Sequence, residues 1–288
     1  RNFPQDIEKA IHYYSLAADV NTSQAQYNLG TIYEDGEYVP VDIKKAIHYY
    51  SLAAKQNDSN AQFNLGLIYQ EGQYVSRDID KAIHYYLLAS QQNNPNAQYN
   101  LGLLYEDGQY IPVDINKAIH YYSLAANSNH LLAQLNLGDI YQGKYIEKDI
   151  NKAIHYYSLA ANQNDPNAQL NLGVIYNEGE YVPRNITKAI HFYKLAAEQN
   201  AVDAQYNLGV IYYYEKYIPR DINRAIYYFS LAANQNDLRS QHILGIIYEE
   251  GKFIARDIKK AIHYFTLAAN QNDPQSQFEL GLIYYQNK

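Results

Sequence analysis

Cysteine, methionine and tryptophan are all absent from this 288-residue chain. Without cysteine there is no disulfide, no thiolate nucleophile and no Cys-ligated zinc or iron–sulfur site, and the redox compartment stays open. Positive charge is in the minority: 23 Lys+Arg stand against 30 Asp+Glu, a formal charge of -7. A chain of that sign lacks the basic footprint that phosphate backbones require, so nucleic acid is not an expected partner. Long apolar runs are missing too. No stretch approaches the roughly 18 apolar residues of a membrane span, so membrane insertion is not expected. There is no glycine-rich phosphate loop, no nucleophile elbow and no HExxH motif. What the chain has in abundance is tyrosine, 34 residues of it.

Self-similarity organises the rest. An acidic or amide residue recurs at Asp6, Asp42, Asp78, Asp114, Asp149, Asn185, Asp221 and Asp257, at intervals of 36 except for one of 35. A Leu-Gly pair keeps the same rhythm from Leu29-Gly30 to Leu280-Gly281. Each copy carries two helical patterns. In the first, helix A, Ala25, Leu29, Ile32 and Tyr33 form one apolar stripe, and in the second, helix B, Ile43, Ala46, Ile47, Tyr50 and Ala54 form another. Asp42 is placed to cap helix B, and Gly36 to end helix A with a positive φ. Gly30 interrupts a helix interior, which predicts a neighbour crossing too closely for a side chain. Asn57-Asp58-Ser59 supplies the return turn.

The pattern Ala25-x3-Leu29-Gly30-x2-Tyr33-x2-Gly36-x2-Val39-x2-Asp42-x2-Lys45-Ala46-x2-Tyr49-Tyr50-x2-Ala53-Ala54 resembles the Sel-1-like repeat (SLR) family. The resemblance implies an all-α fold, a right-handed superhelical solenoid of eight two-helix repeats of about 36 residues, similar to tetratricopeptide repeats. Residues 1–288 are expected to form one such solenoid. The frame opens in a helix B and closes in a helix A without a polar cap, so a segment of a longer protein is expected. Two copies depart from the pattern: the fourth loses one residue before Gly143, and the sixth carries Glu215 where glycine is expected.

The resemblance implies a non-catalytic scaffold that binds a peptide or partner protein along a concave helix-A surface. The alternative is a regulatory or substrate-recruiting region of a larger enzyme, such as a protein kinase or ubiquitin-ligase complex. No catalytic residue and no cofactor are expected. His12, His48, His84, His120, His155, His191 and His263 share one helix-B position pointing away from the stripe, with no second ligand at i+4, so no metal site is expected there. Tyr33, Tyr49, Tyr50 and their equivalents lie on or beside the stripes, where packing is the expected role.

Two helix-A rows stand out. Asn28, Asn64, Asn100, Asn136, Asn171 and Asn207 each precede the Leu-Gly pair, and Ile243 and Glu279 break the series. Asparagine is a mediocre helix former, so the row has a hydrogen-bonding task. By resemblance, that task is gripping a ligand's main chain; otherwise each Asn bridges to the adjacent helix, and the two readings are compatible. The second row is acidic: Glu34, Asp35, Glu71, Glu106, Asp107, Glu178, Glu249 and Glu250 fall in the last turn of helix A, where the helix dipole disfavours them. Basic residues gather at the helix-B entrance, including Lys45, Arg77, Lys81, Arg184, Arg220 and Arg256. The acidic row is either a solvated rim or a groove edge for a basic partner.

Overall fold

The structure is a computed structural model that describes residues 6–214, 216 and 218–286, with the side chain of Gln286 left aside. Glu215, singled out above, lies outside the described residues. Sixteen α-helices and no strand occur among the described residues, in the expected B–A order. The chain divides into two compact units, one ending at Glu147 and one beginning at Lys148. In the first, B helices α1 (Ile7–Asp19), α3 (Ile43–Lys55), α5 (Ile79–Gln91) and α7 (Ile115–Asn127) alternate with A helices α2 (Ser23–Asp35), α4 (Ser59–Glu71), α6 (Pro95–Asp107) and α8 (Leu131–Asp139). In the second, B helices α9 (Ile150–Asn162), α11 (Ile186–Glu198), α13 (Ile222–Asn234) and α15 (Ile258–Ala269) alternate with A helices α10 (Pro166–Glu178), α12 (Val202–Tyr214), α14 (Leu238–Glu250) and α16 (Pro274–Gln286). Among the described residues, no helix is long and apolar enough to cross a membrane.

Local chemistry sets each helix boundary. The Asp42 carboxylate accepts from the Lys45 amide at 3.1 Å, and the same cap recurs at Asp78, Asp114, Asp149, Asn185, Asp221 and Asp257. A helices end on Gly36, Gly72, Gly108, Gly179 and Gly251 at φ between 61° and 71°, as the sequence predicts. The return turns use asparagine in the same left-handed region, from Asn21 to Asn272. The Asp42 amide then donates to the Tyr33 carbonyl at 2.8 Å, which ties the loop back onto its own A helix.

Within each unit, the tightest packing joins an A helix to the B helix that follows it. The ring of Tyr50 is fully buried on Gly30. A Cβ built on Gly30 would lie 2.5 Å from that ring, and the same holds for Gly102 against Tyr122, Gly173 against Tyr193, Gly209 against Phe229 and Gly245 against Phe265. The close neighbour expected at these glycines is therefore the aromatic ring of helix B. The A helices also meet one another directly, α2 with α4 and α4 with α6 in the first unit, α10 with α12 and α14 with α16 in the second.

A buried glutamine series links successive repeats as well. Gln62 donates to the Ala54 carbonyl at 3.1 Å, and Gln92 donates to the Gln62 side-chain oxygen at 2.8 Å. Gln56 onto Gln26, Gln199 onto Gln169, Gln235 onto Gln205 and Gln271 onto Gln241 repeat the second bond. Gln98 breaks the series: its buried Oε1 has no partner among the described residues, because the donor position one repeat on holds the short Ser128.

The glycines give a paired test. Gly102→Ala is expected to lower stability by about 1–2 kcal/mol, the cost of overpacking less the gain in helix propensity. At Gly281 a Cβ would meet nothing within 4 Å. Gly281→Ala should therefore be neutral or stabilising by up to about 1 kcal/mol. Chemical denaturation of both variants checks the contrast.

Candidate functional site

The asparagine and acidic rows converge on one atom, the hydroxyl of the buried helix-B tyrosine. Tyr50 donates to Glu34 at 2.6 Å, Tyr86 to Gln70 at 2.7 Å and Tyr122 to Glu106 at 2.5 Å. From the other side, the Asn100 amide donates to the Tyr86 hydroxyl at 3.2 Å. Asn64, Asn136 and Asn207 stand at the corresponding positions beside Tyr50, Tyr122 and Tyr193 and favour the ionised form of each phenol, against the effect of burial. Burial drives the pKa of all four tyrosines far above the usual phenol value, so each hydroxyl stays protonated and is able both to donate and to accept, as Tyr86 does. The bridging reading of the Asn row thus has direct geometric support at Asn100. Asn28 differs, accepting from Gln24 at 3.0 Å. All six asparagines are half-buried.

A covariation that sequence reasoning missed was visible in the residues. The position 14 residues after the ring is Asn wherever the ring is Tyr, and becomes Ile243 and Glu279 where the ring is Phe229 and Phe265. Without a hydroxyl there is nothing for the amide to serve. The pairing becomes legible only once the ring is known to lie between two A helices.

The acidic row splits in two. Glu34, Glu106 and Glu249 are half-buried, whereas Asp35, Glu71, Asp107, Glu178 and Glu250, one residue further along, are exposed. The basic residues do not form a separate edge. Arg77 folds back to donate to the Gln70 and Glu71 carbonyls at 2.9 and 3.1 Å. Arg184, Arg220 and Arg256 likewise reach the Asn177, Tyr213 and Glu249 carbonyls at 2.6, 2.7 and 2.8 Å. Guanidinium groups therefore satisfy the negative ends of α4, α10, α12 and α14. At the ends of α2 and α6 the corresponding residues are Val41 and Val113, which pack over Gly36 and Gly108. Asp35 and Asp107 thus lie at helix ends that no guanidinium covers.

The histidine row is exposed, each ring set edge-on to the aromatic residue that follows it, as in His48 on Tyr49 at 5.2 Å. Among the described residues, no group of three or more His, Asp or Glu is placed to hold a metal.

Eight stretches match the Sel1 repeat family model: residues 3–21, 23–58, 59–94, 95–130, 131–165, 166–200, 202–237 and 238–273. The chain belongs to the Sel1 repeat family. Its fold is similar to c5321, a protective antigen of uropathogenic Escherichia coli strains with an SLR fold, at a TM-score of 0.83 and 29% identity over 95% of this chain. The match spans 59% of that protein's length. A Sel1 repeat protein from Oxalobacter formigenes is 30% identical over 98% of this chain and 82% of its own, with a TM-score of 0.71. No curated protein matches the chain.

One Ser–His–Asp cluster occurs where α14 meets α16. Ser276 Oγ lies 2.9 Å and Asp273 Oδ2 3.3 Å from His242, but both face the same ring nitrogen, Nδ1. A nucleophile relay needs serine and carboxylate on opposite nitrogens. Asp273 and Ser276 also cap α16, since Ser276 N donates to Asp273 at 2.8 Å. The cluster is a helix cap.

The Sel1 repeat at residues 131–165, one residue short, closes differently. After Asp139 its A helix continues as a single π turn, Ile140–Lys144, with Gly143 at φ 109°. That turn brings the Lys144 ammonium to 2.9 Å from Glu106, 38 residues earlier.

Glu34 provides a test with a defined sign. Burial raises its pKa above the usual glutamate value, the Tyr50 hydrogen bond opposes this, and the charges of Asp35 and Glu71 add to the rise. A raised folded-state pKa means stability is full below the unfolded value, about 4.3, and is lost as pH rises through the folded one. Gln70 performs the same acceptor role uncharged. Glu34→Gln is therefore expected to be more stable than the parent at pH 7, by about a few tenths of a kcal/mol at a half-buried position that solvent still screens. The two should converge below about pH 4 in thermal melts.

Proposed function

We propose that this Sel1 repeat chain is a non-catalytic scaffold that takes an extended, basic segment of a partner protein along its A-helix face. The observation that carries this is the placement of Asp35 and Asp107. Both are exposed in the last turn of an A helix, where acids are unfavourable, and at both ends the compensating arginine is replaced by valine. Glu71, Glu178 and Glu250 extend the same register with an arginine or its equivalent nearby. The half-buried asparagines lie on the same helices. With its Nδ2 engaged by Tyr86, Asn100 has its side-chain oxygen left to accept from a partner's main-chain N–H. Selectivity then rests on charge, which steers encounter and weakens with salt.

The probe is a fluorescein-labelled decalysine peptide, with decaglutamate as the reverse-charge control. Decalysine is expected to bind with an affinity that falls as NaCl rises, and decaglutamate not to bind. Asp35→Asn with Asp107→Asn should flatten that salt dependence. Glu8→Gln with Asp80→Asn makes the same charge change on B helices and should leave it nearly as steep. Equal effects from the two double variants, or no decalysine binding, would refute the A-helix reading.

A further inference from the structure

The junction between the Sel1 repeats at residues 95–130 and 131–165 holds a cleft of about 620 Å³. It lies within the first unit, between the last turns of α6 and α8, and its wall includes Tyr99, Tyr110, Glu106, Asp107, Asn136 and Lys144. The inner carboxylate, Glu106, is 9% exposed and uses both oxygens: Oε2 accepts from Tyr122, and Oε1 from the Lys144 ammonium. Glu34, at the same position two repeats earlier, accepts the Tyr50 hydroxyl alone among the hydrogen bonds to its carboxylate. The residue one repeat on from Glu34, equivalent to Lys144, is Gln73.

The cleft therefore already contains a cation, delivered by the chain itself. Its remaining walls suit one as well. Asp107 stands exposed at the mouth. Arg77 lies over the Tyr110 ring at 5.0 Å. Elsewhere in the chain Arg239 lies 4.1 Å over the Tyr206 face, and that guanidinium is paired with Asp203 and Asp237 at 2.6 and 2.8 Å. These are the elements by which aromatic and carboxylate groups receive ammonium or guanidinium ions. Lys144, with a side chain 49% exposed, is a long and flexible donor on a solvent-facing turn. An ion pair of that kind is readily displaced.

We propose that this cleft receives a lysine or arginine side chain of the partner, and that Lys144 occupies its inner carboxylate as a built-in competitor. The proposal rests on the basic-partner reading above and adds a place and a restraint to it. A partner residue entering the cleft exchanges with the Lys144 ammonium at Glu106, while Asp107 faces its charge at the mouth. The carboxylate is never left unpaired, so the cost of an uncompensated buried charge arises in neither state.

Decalysine binding to the full chain tests this by a variant set. Lys144→Ala is expected to tighten binding about two- to fivefold, the scale of one partly exposed ion pair. Lys55→Ala makes the same charge change in the last turn of α3, away from the cleft, and should shift affinity less than twofold. Glu106→Gln keeps an acceptor for Tyr122, as Gln70 does for Tyr86. In the Lys144→Ala background it should abolish the gain. Equal tightening by Lys144→Ala and Lys55→Ala, or a gain that survives Glu106→Gln, would overturn the cleft proposal. Either result would leave the salt test of Asp35 and Asp107 standing, so the two readings fail separately.

Discussion

An aromatic ring lying flat on a glycine holds this protein together. Within each unit the contact joins an A helix to the B helix after it, and at Gly30, Gly102, Gly173, Gly209 and Gly245 no side chain could be added without moving the ring. Glycine in a helix interior is costly, yet here it lets two helices approach closely enough to bury a whole phenol or phenyl group. Leu29, Leu65, Leu101, Leu137, Leu172, Leu208 and Leu244, each one residue before the glycine, are fully buried in consequence. The spacing of about 36 residues is the distance along the chain needed to make this contact again.

Burying a tyrosine ring brings its hydroxyl inside as well, and a buried hydroxyl needs partners. Glu34, Gln70 and Glu106 accept from it on the near side, and Asn100 donates to it from the following A helix. The hydroxyl thus ties one repeat to the next. The same residues line the face proposed for binding, so part of each side chain holds the fold and part is left to face outward. The exposed acids one position further on are free of that duty.

The architecture was largely legible in the sequence, because caps, left-handed glycines and apolar stripes are local features that repeat. Asp42 and Gly36 behave as their chemistry dictates, and the histidines face outward as their angle on helix B predicts. The site was legible only in outline. Glu34 and Asp35 are adjacent in sequence and equally acidic, but only their positions relative to Tyr50 separate a buried acceptor from an exposed charge. Arg77 reads as a basic residue of the helix-B entrance, whereas its side chain turns back to the A-helix carbonyls. The Lys144–Glu106 bridge depends on a π turn that a one-residue deletion does not announce. In each case the missing information is which two helices a side chain lies between.

The dependence of the Asn row on the tyrosine hydroxyl is the claim on which this account turns, and a double-mutant cycle on Tyr86 and Asn100 measures it directly. The natural Phe229–Ile243 pair supplies the template for the substitutions. Tyr86→Phe and Asn100→Ile are each expected to lower stability, because each leaves a polar partner behind. Combined, they should recover toward the parent, with a coupling of about 1 kcal/mol. Losses that simply add in the double variant would show that the asparagine does not serve the hydroxyl, and would contradict the account.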